Sequence, residues 1–295
     1  MVSIVICSVS PIYLAALIKN INQTIGLPFQ VIAIDNSINK FGICKVYNQG
    51  AEQAMYDTLC FVHEDVSFAT TNWGNLIINH LEDKNIGLIG LAGGDSKSSV
   101  PSSWSIPVVS NQINILQHYK DKSKAAKHIV ETHIPNSIKQ QVVALDGVFL
   151  CTRKDVFANF KFDEDNFLGF HGYDIDYSLQ VNTQYQVFVI FDIVVHHFSE
   201  GTPDNKWVNS AVKLAEKWKK QLPISIYNLN SEEENLYHWR CLQVFLQKLF
   251  ELKYPIPIII KNYLKYSFTQ YFTLRRFFSM GKYVLGSYFK RKLTS

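Results

Sequence analysis

The chain of 295 residues lacks any uncharged apolar run of the roughly 18 residues needed to cross a bilayer. Its opening, MVSIVICSVS, carries neither a basic segment nor a small-residue cleavage site. Neither a membrane span nor a signal peptide is expected, and a cytoplasmic location is. No CxxC pair is present, so the common zinc modules are excluded. The five cysteines (Cys7, Cys44, Cys60, Cys151 and Cys241) are odd in number, dispersed and mostly set in apolar runs, the pattern of reduced core thiols. With no zinc-finger or RNP-type motif, nucleic acid is not an expected partner. Charged residues make up 18% against 47% hydrophobic, a composition that gives no sign of disorder and suits one large domain or a domain with an appendage. Acidic residues are scarce in one region only. Residues 1–209 hold 14 Lys+Arg against 20 Asp+Glu, whereas residues 210–295 hold 15 against 5, so the formal net charge of +4 joins an acidic body to a basic tail.

The most informative segment is Thr58 to Val66, TLCFVHEDV, an apolar run that ends in His63-Glu64-Asp65. Carboxylates and an imidazole at the end of a buried strand point to a divalent metal site, because the carboxyl ends of parallel strands open onto the ligand crevice of an open α/β sheet. An exposed turn is the alternative. Upstream, Ser3 to Val9 reads as a β-branched strand. Pro11 opens a helix with apolar positions Leu14, Leu17, Ile18, Ile21 and Ile25, ended by Gly26. Phe29 to Ile34 is a second strand, terminating at Asp35-Asn36-Ser37. A weakly amphipathic stretch around Val46 to Met55 leads into TLCFVHEDV. This is βαβαβ, whose right-handed crossovers place Asp35 and the HED triplet along the same sheet edge.

Farther on, Thr71 to Asp83 predicts a helix burying Trp73, Leu76, Ile77 and Leu81, and Ile86 to Leu91 a buried strand. Residues 95–111, rich in Ser and Pro, read as a surface segment near the site or as a mere connector. Gln141 to Cys151 reads as one strand with Asp146-Gly147 at its middle, an awkward place for a carboxylate and a glycine unless backbone or ligand approaches closely. Gly169 to Gln180, GFHGYDIDYSLQ, leads into a short helix where Asp174 and Asp176 either cap or act. Val187 to Val195 predicts a last strand running into His196-His197, of which strand alternation lets one face a site.

The order of these pieces, from the opening strand and Asp35 through FVHEDV and YDIDYSLQ to His197-x-Ser-x-Gly-Thr, resembles the GT-A-fold glycosyltransferases of family 2. It resembles in particular the glycosyltransferase-like domain named for streptomycin-biosynthesis proteins. The resemblance covers about residues 2 to 220 and implies an α/β fold of GT-A type, Rossmann-like, with a mostly parallel central sheet flanked by helices. It implies transfer of a sugar from a nucleotide-diphosphate sugar, UDP favoured, to an acceptor hydroxyl of a glycan or lipid-linked molecule in surface glycan or polysaccharide synthesis. Asp35 would bond the nucleobase or ribose, with Ser8 and Asn36 beside it. Asp65 aligns with the last acid of the family's Asp-x-Asp motif and would bind Mn²⁺ or Mg²⁺ bridging the phosphates. Glu64 would contact ribose or metal, and His63 replaces the usual first Asp. Asp174 matches the general base of the Glu-Asp motif, Tyr173 stands in place of its Glu, and Asp176 is a reserve; direct displacement would invert the anomeric centre. Asp146 and Gly147 would line the sugar pocket. A metal-ligating histidine would be His197, or His196 if the strand ends one residue earlier.

Two rivals remain on sequence. A nucleotide-sugar nucleotidyltransferase would open with a basic, glycine-rich loop where this chain has Cys-Ser-Val-Ser-Pro. A non-catalytic nucleotide- or carbohydrate-binding protein would retain the scaffold alone. Residues 1–220 are expected as the catalytic domain and 221–295 as a helical extension. In the extension Ser231-Glu232-Glu233-Glu234 reads as a capping box before a helix with Leu236, Trp239, Leu242, Phe245, Leu246 and Leu249. Beyond Pro255 and Pro257, Tyr263, Tyr266, Tyr271, Phe272, Phe277 and Phe278 interleave with Lys261, Lys265, Arg275 and Arg276. That composition suits peripheral attachment to the inner face of an anionic membrane, or packing on the domain or in a homodimer.

Overall fold

A computed structural model describes residues 1–105, 111–121 and 123–293. The first elements are β1 (Val2–Ser8), α1 (Pro11–Thr24), β2 (Phe29–Asp35), α2 (Ile43–Glu52), β3 (Thr58–His63), β4 (Val66–Phe68), α3 (Trp73–Glu82), β5 (Ile86–Gly90), β6 (Ala92–Gly94) and β7 (Ser96–Lys97). There follow β8 (Asn111–Gln117), β9 (Lys127–Glu131), β10 (Lys139–Val142), β11 (Ala144–Leu145), β12 (Phe149–Arg153), α4 (Lys154–Asn159), α5 (Tyr173–Val181), β13 (Gln186–Ile190) and β14 (Val195–His197). The chain closes with α6 (Asn205–Lys217), β15 (Ile224–Ser225), α7 (Ser231–Glu251), α8 (Ile256–Ser267) and α9 (Leu274–Leu293). Two compact units result: Met1–Asp95 with Ser110–Thr202, and Ser96–Val109 with Pro203–Ser295. In this division α6 groups with the C-terminal helices.

The first unit is built on a seven-stranded sheet in the order β10-β13-β5-β12-β3-β1-β2. β1 lies parallel to both β2 and β3, and β13 parallel to β5, while β12 and β10 are antiparallel to their neighbours. Five strands thus share one direction, as expected of a mostly parallel sheet. Local chemistry accounts for the opening βαβ. The Ser10 side chain caps α1 by accepting from Tyr13 N, Pro11 occupies the first turn, and Gly26 follows the helix at φ +77, a left-handed conformation that favours glycine. A Cβ at Gly26 would lie 2.2 Å from Asn72 Oδ1. In register, Ser8 opposes Asp35 and Cys7 opposes His63, so all three strands end at one edge.

A second sheet, β11-β6-β8-β14-β4 with β9 on β8, carries the rest of the site. It corrects two expectations. Gln141–Cys151 is not one strand: β10 pairs in the large sheet, β11 in the second, and β12 returns to the large sheet, leaving Asp146 and Gly147 at a turn between them. Likewise Val187–Val195 divides between β13 in one sheet and β14 in the other, and both histidines belong to β14 itself. Cys60 and Cys151 also depart from the reduced-thiol reading. They face one another directly across antiparallel β3 and β12, Cα atoms 4.3 Å apart, and form a disulfide; Cys7, Cys44 and Cys241 are free.

In the second unit β7 pairs with β15, and Ser96 to Ser98 and Val100 are buried rather than forming a surface segment. Residues 106–110 of that expected loop lie outside the described residues. α7 is capped one residue earlier than expected, by Asn230, whose side chain accepts from Glu232 N and Glu233 N while Glu233 reaches back to Asn230 N. Trp239, Leu242, Phe245, Leu246 and Leu249 form one core with Ile259, Tyr263, Tyr266, Met280 and Val284, whereas Leu236 is exposed. No helix among the described residues is long and apolar enough to cross a membrane.

Candidate active site

His63 is the last residue of β3, and Glu64 and Asp65 form the turn into β4. β4 runs antiparallel to β14 with Val66 opposite His197, and Phe198 N donates to the Asp65 carbonyl at 3.0 Å. This pairing, not proximity in sequence, carries His197 to the HED turn. One ligand atom each of His63, Asp65 and His197 lies within 4.8 Å of the others, and His197 Nε2 is 4.0 Å from Asp65 Oδ2. Two imidazoles and a carboxylate could hold a divalent metal ion.

The histidine protonation follows from the surrounding bonds. Gln117, directly opposite His197 across parallel β8 and β14, donates through Nε2 to the carbonyls of His118 (2.6 Å) and Ser199 (2.7 Å). Its Oε1 must then accept, and it takes the Nδ1 proton of His197 at 3.1 Å. Nε2 of His197 is left with its lone pair, toward which Ser199 Oγ donates at 3.3 Å. A partner on the far nitrogen that fixes the tautomer is the usual support of a metal-bound histidine. His63 is held comparably, with Nε2 2.7 Å from the Tyr173 hydroxyl, which itself donates to the Gly147 carbonyl at 3.1 Å. In that arrangement Nε2 donates and Nδ1 keeps the lone pair. Burial pushes the His63 imidazole below its ordinary value, opposed by Asp65 and Asp146, so its neutral, ligating form is favoured.

Tyr173, Gly147 and Asp174 form one interlocked group. Gly147 N donates to Asp174 Oδ2 at 3.1 Å, and a Cβ on Gly147 would lie 1.9 Å from the Tyr173 oxygen, so only glycine permits this approach. α5 is further tied to β11 by Ser178, whose hydroxyl donates to the Asp174 carbonyl and accepts from Leu145 N. Burial, then the charge of Asp146, raises the Asp174 carboxyl to about 7, although the amides of Ile175, Gly147 and its own residue oppose the shift. A carboxylate poised there can take a proton near neutral pH.

The other expected site residues are placed as follows. Glu64 is occupied by the β1–α1 connection, accepting from Ser8 Oγ at 2.7 Å, Val9 N and Ser10 N, so it and Ser8 brace that loop. Asp35 is exposed at the sheet edge, with Oδ1 accepting from Ser37 N. Asn36 is buried and both ends of its amide bond the Phe41 backbone, a loop clamp. Asp176 is fully buried, accepts from Gln180, and lies two residues from Asp174, hence on another helix face. His196 Nδ1 is 2.9 Å from His118 Nε2 and is not in the metal-competent group. Local pattern gives no role to Gln117 or to the hydroxyl of Tyr173. The local sign of Gln117 is its place at the end of β8, NQINILQ.

Residues 3–224 match the glycosyltransferase-like family, and the chain belongs to it. No curated protein sequence matches the chain. Among solved structures, GalNAc-T7 with UDP, GalNAc and Mn²⁺ is similar at TM-score 0.53 and 11% identity, over 90% of this chain and 54% of that one. TarS of S. aureus is similar at TM-score 0.51 and 11% identity, over 93% of this chain and 50% of that one. The chain thus matches about half the length of each. At these identities the likeness is one of fold, and that fold is GT-A.

Proposed function

We propose that this protein transfers a sugar from a nucleoside-diphosphate sugar, with UDP as the favoured nucleotide, to an acceptor hydroxyl with inversion at the anomeric carbon. The observation that carries this reading is the convergence of His63, Asp65 and His197 within 4.8 Å beside the raised carboxyl of Asp174. The UDP and Mn²⁺ of the GalNAc-T7 structure support the choice of donor and ion. His63, Asp65 and His197 would hold Mn²⁺ or Mg²⁺, which when bound supplies positive charge to the departing diphosphate. Asp174 takes the acceptor proton. Asp35, at the same edge, meets the base or ribose, with Ser8, Asn36 and Glu64 shaping the loops beside it. Asp146 and Gly147 border the sugar. Acceptors are glycans or lipid-linked glycans of a surface polysaccharide route, reached by peripheral attachment at the inner face of a membrane.

Calorimetry with UDP, GDP and dTDP, with and without Mn²⁺, on wild type and Asp65→Ala tests this reading. Metal-dependent binding of one nucleotide, lost in the variant, is the expected result. Binding without turnover of any matching nucleotide-sugar would instead favour a non-catalytic module, and no binding at all would defeat the proposal.

A further inference from the structure

α9 carries two apolar faces. One packs inward through Met280 and Val284, with Phe277 against Tyr263. The other is bare: Leu274, Phe278, Leu285 and Phe289 are 64%, 61%, 59% and 59% exposed. Their spacings of four, seven and four residues confine them to an arc of about 60° at roughly 100° per residue. Arg275 and Lys282 flank this stripe and are exposed as well. At its N-terminal end Phe268, 62% exposed, stacks on Phe272 and lies 5.3 Å from Phe277, extending the apolar surface. From Leu252 onward the sequence contains nine Lys and Arg and no Asp or Glu.

We infer that the α9 stripe is the face by which this protein lies on an anionic lipid surface, with Leu274, Phe278, Leu285 and Phe289 in the acyl boundary and Arg275 and Lys282 at headgroup level. Charge selects this occupant over a second copy of the chain. A two-fold contact would set the same basic surface against itself with no acidic residue from either copy's segment to offset it, whereas anionic headgroups complement it. The stripe keeps Phe278 and Arg275 of the residues that composition nominates and leaves out the tyrosines. Tyr263, Tyr266 and Tyr271 are buried, the first donating to the Phe277 carbonyl and the last receiving Trp239 Nε1 and Asn235 Nδ2 at its own carbonyl, so they hold the helices together instead of meeting lipid.

This surface rests on the peripheral-attachment part of the proposed function but not on the donor chemistry. The full chain is co-sedimented with phosphatidylcholine vesicles and with vesicles containing about one-third phosphatidylglycerol, at roughly 50 mM and 0.5 M salt. Wild type should bind the anionic vesicles, lose most binding at high salt, and bind neutral vesicles weakly. Phe278→Ser/Leu285→Ser should weaken anionic-vesicle binding at least about tenfold, and Arg275→Gln/Lys282→Gln should remove much of the salt-sensitive part. Both variants should keep the wild-type melting profile and any Mn²⁺-dependent nucleotide binding, which separates failure of this surface from failure of the active site. Absence of wild-type binding, or equal binding by Phe278→Ser/Leu285→Ser, would overturn the inference. So would a dimer in sedimentation velocity that the apolar variant dissociates while vesicles stay unbound.

Discussion

Gln117 offers the sharpest test of the metal site because it touches no metal-binding nitrogen, only the proton opposite one. Its amide is pinned by two carbonyls at 2.6 and 2.7 Å, which dictates that Oε1 accepts from His197 Nδ1. In Gln117→Leu that acceptor is gone, the imidazole is free to place its proton on Nε2, and the ligating lone pair is lost for part of the time. Loss of such a partner weakens metal binding about 10- to 100-fold, or about 1.4 to 2.7 kcal/mol. Titration of Mn²⁺ into wild type, Gln117→Leu and His197→Ala, alone and with UDP, measures it. We expect Gln117→Leu to fall between the other two. Nitrogen NMR of the imidazole should report a single tautomer protonated at Nδ1 in wild type and a mixture in the variant. If folded Gln117→Leu binds Mn²⁺ within about twofold of wild type while His197→Ala does not, the tautomer argument is wrong. If neither variant differs from wild type, His197 is not a ligand.

Further expectations follow from the titrating groups. Asp174 must be ionised to act as a base, so transfer should rise with pH through about 7. Asp174→Asn should lower kcat by about 10²- to 10⁴-fold while nucleotide binding survives. Asp146→Asn removes a like charge that helps to raise the Asp174 carboxyl, and should move the acid limb of the rate profile to lower pH; an unmoved limb would refute the coupling. Lys97 is fully buried, bonded to Ser102 Oγ, and burial lowers its ammonium from 10.5 to about 8. Folded protein therefore binds fewer protons than unfolded between those values, and charged Lys97 destabilises the fold below pH 8 by something on the order of 3 kcal/mol. Lys97→Met should be more resistant to urea at pH 7, with the advantage shrinking as pH rises from about 8 toward 10. A gap that stays constant over that range would show that Lys97 keeps its proton in the folded state and that burial does not lower its ammonium.

Much of the architecture was legible locally. Pro11 and Gly26 mark the ends of α1, and the apolar runs of β1, β2 and β3 separated by helical stretches require crossovers that set Asp35 and His63-Glu64-Asp65 on one edge. Those features depend on side-chain periodicity and turn chemistry within a few residues, which a chain carries wherever it folds. The exposed stripe of α9 was half legible: its basic, aromatic composition was plain, but which rings face inward depends on α7 and α8.

The remaining features depend on long-range pairing. A β-branched run such as Gln141–Cys151 reads the same whether it stays in one sheet or, as here, passes through two, because alternation reports burial and not partner. The turn left at Asp146-Gly147, the fit of Tyr173 against a residue without a Cβ, and the hydroxyl on His63 across 110 positions all depend on that switch. The register of β8 with β14 likewise sets Gln117 opposite His197, 80 residues away, and the register of β3 with β12 joins Cys60 to Cys151. Local pattern set the opening βαβαβ and the acidic strand ends that share its edge. Strand pairing, driven by the burial of two whole sheets, decided which side chains meet there and in what protonation state.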